Sequence, residues 1–229
     1  MQISWQLTGG ENVFGLLPMI LIFILLLPAF FFLFYFNIAA ISFTKLGLSP
    51  QGAMLLFTFS LIGSVINIPV SKQTIVVEEK PQMVFPFLFY YPPRVRHQVI
   101  AVNVGGAIIP TVFALYLLTS GKTPLVPALI STTIVTLATN AMARVVPGVG
   151  ISLPAFIPPL VAVSSALLLG GESAAPIAYI AGSLGTLIGA DLLNLHKIKN
   201  IGAQVVSIGG AGVYDGIFLV GVIAAFLAA

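Results

Sequence analysis

From Phe14 to Phe36 the chain carries not one charged side chain, and apolar runs of similar length recur along the rest of it. A run of about 20 apolar residues matches the thickness of a bilayer's hydrocarbon core as an α-helix. The runs lack the two-residue alternation of a barrel strand, and inside lipid only helices and closed barrels satisfy their own backbone hydrogen bonds. The pattern therefore predicts an all-α, polytopic helical membrane protein. Of the 229 residues, 59% are hydrophobic and 7% charged, which excludes an ordinary soluble domain and leaves residues 1–229 as one integral membrane domain.

Seven spans are expected, at about 14–36, 51–70, 98–119, 125–143, 155–170, 175–195 and 207–228. The first is apolar all round and predicts a lipid-facing helix. Later spans carry Gly, Ala, Ser, Thr and Asn, the residues that let helices approach closely, so the functional interior is expected there. No Lys or Arg precedes the first run, which argues against a cleaved signal and predicts that the run stays. Between spans two and three, Thr74-Ile75-Val76-Val77 reads as a short strand, Pro81, Pro86, Pro92 and Pro93 forbid a long helix, and the aromatic run from Phe85 to Tyr91 suits a bilayer interface.

Lys72, Lys80, Arg94, Arg96, Arg144, Lys197 and Lys199 fall in loops on one side of this arrangement, and Lys45 and Lys122 on the other. The positive-inside rule makes the first side cytoplasmic, so a multi-pass protein of the cell membrane with a cytoplasmic N-terminus is expected. A net charge of +3 is small and scattered, and gives no reason to expect nucleic acid as a partner. The chain has no cysteine, and its two histidines, His97 and His196, stand alone, so neither a metal nor a cofactor is expected.

An internal echo is visible. Leu61-Ile62-Gly63-Ser64 is similar to Leu187-Ile188-Gly189-Ala190, and Val102-Asn103-Val104-Gly105-Gly106-Ala107 to Val206-Ser207-Ile208-Gly209-Gly210-Ala211, in the same order. A duplicated unit would be parallel, with Val65 and Thr111 where the second copy has Asp191 and Asp215.

Those two aspartates are the expensive feature, since a carboxylate within a span costs about 2.5–3.5 kcal/mol on insertion scales. They are the candidate catalytic pair. A helix running unbroken from Ile201 would carry Asp215 about 20 Å into the membrane, out of reach of Asp191 at about 9 Å. If Ala203 to Ser207 is extended and the helix begins near Ile208, both carboxyls reach about the same depth. Two adjacent carboxyls share a proton, one acting as base toward water and the other as acid toward a carbonyl, which is the chemistry of peptide hydrolysis. Gly210, Gly212 and Gly216 would let a substrate backbone approach, and Asn103 would line the same polar interior or bond between helices.

Consecutive spans each bearing one aspartate, the second within Gly210-Ala211-Gly212-Val213-Tyr214-Asp215-Gly216-Ile217-Phe218, resemble the core of presenilin-like and signal-peptide-peptidase-like intramembrane aspartyl proteases. The resemblance implies that Asp191 and Asp215 are the catalytic aspartates, that Gly212 is a glycine of the Gly-x-Gly-Asp signature, and that the substrate is a membrane-spanning peptide. The chain departs from that signature in reading Gly-Val-Tyr-Asp, and Pro154-Ala155-Phe156 matches the family's Pro-Ala-Leu only in permuted order. Gly63-Ser64-Val65-Ile66-Asn67-Ile68-Pro69, Asn103-Val104-Gly105-Gly106 and Gly189-Ala190-Asp191-Leu192-Leu193-Asn194-Leu195 also resemble a family of archaeal and bacterial membrane proteins without an established activity. Two other functions fit intramembrane acids: a proton- or cation-coupled transporter using the same carboxylates, and a non-catalytic membrane subunit or chaperone. Membrane lipids are the expected surroundings in each case, and the sequence leaves the oligomeric state open.

Overall fold

Pro50 and Ser49 start a helix the way sequence logic requires: proline at its first position, and the serine hydroxyl accepting from Gly52 N–H at 3.2 Å. It is the second of eight α-helices among the described residues of a computed structural model, which are 11–77, 94–121, 123–146, 150–198, 205–210 and 216–228. In chain order the elements are α1 (Glu11–Lys45), α2 (Pro50–Gly63), β1 (Asn67–Val77), β2 (Arg94–Asn103), a π-helical turn (Val104–Ile108), α3 (Ile109–Thr119), α4 (Leu125–Met142), β3 (Arg144–Val146), β4 (Gly150–Ser152), α5 (Ile157–Gly170), α6 (Ala174–Thr186), a second π-helical turn (Leu187–Leu192), the single turn α7 (Leu195–Ile198), β5 (Val205–Ile208) and α8 (Gly216–Leu227).

The chain divides into two units, Met1–Ile38 and Ala39–Ala229. In the first, Ile20, Phe23, Leu25 and Phe30 on α1 are exposed, a surface that hydrocarbon tolerates and water does not. The second is organised around α6, where every residue from Ala174 to Thr186 is buried except Pro176 and Leu184. Helices α3, α4, α5 and α8 all pack on it. Small residues allow that crowding: a Cβ on Gly185 would stand 2.7 Å from Val135 Cβ on α4, and one on Gly182 would stand 3.3 Å from Val220 and Ala224 on α8. Tyr179 fills the gap left toward α3 and the C-terminal end of α1, its ring 5.1 Å from Phe113 and 6.1 Å from Phe43.

Three helical runs, Ile20–Lys45, Leu125–Met142 and Ile157–Lys197, are long and apolar enough to cross a membrane. The third is folded on itself, with Gly171 at φ +52° between α5 and α6, which pack together. The other apolar helices, Pro50–Gly63, Val104–Thr119 and Ile217–Leu227, have 10–17 residues, hence about 15–25 Å of length, short of the roughly 30 Å core.

This corrects two of the expected spans. Residues 51–70 and 98–119 are each part helix and part strand. Helix α2 stops at Gly63 because the chain beyond it is β-branched and contains Pro69, which has no N–H to donate and disfavours helix at Ile68. Strand β1 then pairs antiparallel with β2 from Asn67↔Asn103 to Val77↔Arg94, with a bulge between Pro69 and Ser71. The strand expected at residues 74–77 is the far end of this longer one; the proline- and aromatic-rich 78–93 lie outside the described residues. Strand β5 adds parallel to β2, giving the order β1-β2-β5. An open sheet leaves edge N–H and C=O groups that hydrocarbon does not satisfy.

Of the echoed segments, residues 61–63 end α2 and 187–190 lie in the second π-turn, while 102–103 end β2 and 206–208 lie in β5, strands that run parallel.

Candidate functional site

Strands β2 and β5 end side by side, Val102 opposite Ile208, and each continues into a glycine pair turned toward a helix end. After β2, Gly105 presses on the end of α2: a Cβ there would lie 2.1 Å from the Ser60 carbonyl oxygen. Ser60 Oγ donates to Gly105 O at 2.6 Å, locking the contact. After β5, Gly209 and Gly210 hold φ of +89° and +94°, a region L side chains avoid, and Gly209 lies against Ala107 of the first π-turn.

Asp191 joins this junction from α6. It sits in the second π-turn, where each N–H bonds the carbonyl five residues back and the turn widens. Half-buried, its Oδ2 accepts from the Gly209 N–H at 2.7 Å, a charge-assisted bond when the carboxyl is ionised. Leu187, four residues before it, belongs to one buried apolar cluster with Ile100, Ala107, Ile208 and Ile217.

Two asparagines hold the surrounding backbone. Asn103 is fully buried; its Oδ1 accepts from Gly106 N–H at 2.8 Å and its Nδ2 donates to Ser64 O at 2.7 Å and Asn67 Oδ1 at 3.2 Å. Asn67 Oδ1 also accepts from Ser207 Oγ, tying β1 to β5 across the sheet end. Asn103 therefore does the interhelical bonding that one reading of the sequence expects, and its amide is engaged internally instead of facing a substrate. Asn103→Leu is expected to destabilise the protein by about 2–4 kcal/mol by stranding Gly106 N–H and Ser64 O, read as a lower midpoint in thermal unfolding.

Asn194, also fully buried, is a site residue that the sequence alone does not single out. Its Nδ2 lies 3.0 Å from both Gly189 O and Ala190 O and 3.1 Å from Asn140 Oδ1, so it satisfies carbonyls at the end of the π-turn and ties the turn to α4. Lys197 Nζ donates to Asn194 Oδ1 at 2.7 Å, so that ammonium goes to the asparagine clamp and not to Asp191. The signal is there, an asparagine three residues past Asp191, but only the widened turn shows which carbonyls it must reach. Asn194→Leu is expected to cost about 1–3 kcal/mol through those carbonyls, visible as faster amide exchange over 187–193.

Of the remaining expected site residues, Gly210 adjoins the Asp191–Gly209 contact directly and Gly216 opens α8. Asp215 and Gly212 lie outside the described residues, as does Lys199. As far as the chain is described, Val205–Ile208 is extended, as the dyad requires of the lead-in, and α8 is described from Gly216 onward. The glycine pair Gly209-Gly210, with its left-handed backbone, ends the strand.

An α6-centred bundle of apolar helices, with a strand pair ending on a half-buried aspartate, defines the class as a helical protein built for a membrane. The chain belongs to the family described as protein of unknown function (DUF1614), whose model matches residues 61–227. That match includes α6, both π-turns and the whole sheet. No curated protein and no solved structure matches the chain.

Proposed function

We propose that the protein is an intramembrane aspartyl protease in which Asp191 and Asp215 hydrolyse a peptide bond of a membrane-spanning substrate. The observation that carries the reading is the bond from Gly209 N–H to Asp191 Oδ2, which draws the aspartate to the segment leading to Asp215. Ile217, two residues after Asp215 in the sequence, belongs to the same apolar cluster as Leu187, four residues before Asp191.

In the reaction, one carboxylate takes a proton from water as the water oxygen bonds to the peptide carbonyl carbon, while the other carboxylic acid protonates the carbonyl oxygen. The resulting gem-diol collapses, the C–N bond breaks, and the amine leaves with a proton returned by a carboxyl group. Among the described residues strand β5 is the edge of its sheet, and a substrate backbone would approach along it past Gly210. The water is taken to come from the sheet's side of the bundle. In this reading the protein is a multi-pass protein of the cell membrane with that side and its N-terminus cytoplasmic, and its two strand-linked halves descend from one duplicated unit.

The test is to reconstitute the purified full chain in lipid bilayers with membrane-spanning peptides and identify products by mass spectrometry. Cleavage that survives Asp191→Ala or Asp215→Ala would sink the dyad. A second reading, an ion-coupled carrier, is favoured by the two π-turns, which break helices next to polar groups as ion sites require. It predicts that Asp191→Ala abolishes uptake into sealed vesicles with no peptide cut by the unaltered protein.

A further inference from the structure

Helices α2 and α3 leave a groove between them. At its inner end Gly63, the last residue of α2, closes on the first π-turn: a Cβ there would stand 3.0 Å from Gly105 N and 3.1 Å from Val104 Cγ1. From that contact a space of about 730 Å³ runs back to Leu48, two residues before α2, and to Tyr116 in the last turns of α3. Its length is that of the 14-residue α2, about 20 Å. Leu55, Leu56, Phe59 and Val112 are among its walls, and the Tyr116 hydroxyl is the one polar side-chain group on the residues that line it.

Size and charge together choose the occupant. A helix is about 10 Å across, so 20 Å of it would fill about 1600 Å³, roughly twice what the groove holds. An extended acyl chain is far narrower, and one leaflet's share of the hydrocarbon core, about 15 Å, lies within the groove's length. The charge is Lys45, which ends α1, is exposed, and is the first charged residue after Glu11. In the turn that follows it Gly47 N–H donates to Thr44 O at 3.0 Å and Leu48 N–H to Phe43 O at 3.1 Å, so only three residues separate the lysine from the groove's Leu48. A lysine at the end of a membrane helix extends its ammonium to the level of the lipid headgroups.

We propose that the α2–α3 groove binds an anionic phospholipid of the surrounding bilayer, one acyl chain lying along α2 and the phosphate held by the Lys45 ammonium. Neither part uses Asp191 or depends on the protease reading.

The test places a tryptophan in the groove, Val112→Trp, and another on an exposed position of α4, Leu129→Trp, in full chains whose own Trp5 is replaced by phenylalanine, and reconstitutes each in bilayers. Bromine on a lipid acyl chain quenches indole fluorescence on contact. Brominated phosphatidylglycerol is expected to compete about fivefold better than brominated phosphatidylcholine at position 112 and equally well at position 129, and Lys45→Gln is expected to remove the difference. Equal competition by the two lipids at position 112 overturns the proposal, and so does a preference that survives Lys45→Gln. Quenching at position 112 that is relieved by a membrane-spanning peptide, or by a higher ratio of protein to lipid, gives the groove to a helix or to a second copy and overturns it too. A chain that shows the preference and cuts no peptide keeps the lipid site and loses the protease reading alone. Should Val112→Trp fail to insert, Tyr116→Trp, which keeps an aromatic ring stacked on Phe113, makes the same comparison.

Discussion

Asp191→Asn is expected to lower cleavage of a membrane-spanning peptide by about 10²–10⁴-fold, the usual contribution of a positioned acid or base. Asparagine has the shape of aspartate and keeps an oxygen that accepts from the Gly209 N–H, so the junction of α6 with β5 stays closed. What it loses is the capacity to take a proton. Circular dichroism and thermal unfolding should therefore change little while the products vanish. Asp215→Asn is expected to match it, and the double variant to be no worse than either, because groups acting as one unit are not additive. A double variant that loses the product of the two single effects would show that the aspartates act separately.

Gly189→Ala is expected to cost both stability and function. A Cβ at that position would lie 2.0 Å from Thr139 Oγ1 and 2.3 Å from the Thr136 carbonyl oxygen, so the second π-turn and α4 must separate. Overpacking of this kind costs about 3 kcal/mol, and more when backbone must move. The segments that part are the pair that positions Asp191 through Asn194 and Asn140. The fall in unfolding midpoint should thus be joined by lost function. Adding Thr139→Ala removes the hydroxyl but leaves the Thr136 carbonyl, so only part of the stability should return. Gly52→Ala is the control: its nearest contact, Ser49 Oγ, stands at 3.3 Å, and a change within about 1 kcal/mol is expected. Equal losses in the two variants would mean that the π-turn and α4 are not packed as tightly as the Gly189 contact implies.

Residues 125–143 were expected as a span and form α4, Leu125–Met142. Residues 65–70 misled because hydropathy does not distinguish an apolar strand from a helix, whereas Val65, Ile66, Ile68 and Pro69 together favour extended chain. The first part of 98–119 misled for the same reason, its strand revealed only by pairing with Asn67–Val77. At the site, Asp191 stood out by its insertion cost alone. Asn194 did not, because asparagine is common between membrane helices and its role depends on a partner distant in sequence.

The sequence by itself determined that the chain is built of apolar helices, that its small residues gather in the later helices, and that Asp191 needs a reason. These conclusions rest on transfer free energies and helix packing, which act residue by residue. Only the tertiary structure decided that two expected spans are part strand, that the helix bearing Asp191 widens into a π-turn, and that Gly209 meets the carboxylate. Those depend on pairing between segments far apart in the chain, where a single N–H finds its acceptor only after the strands and helices have closed around it.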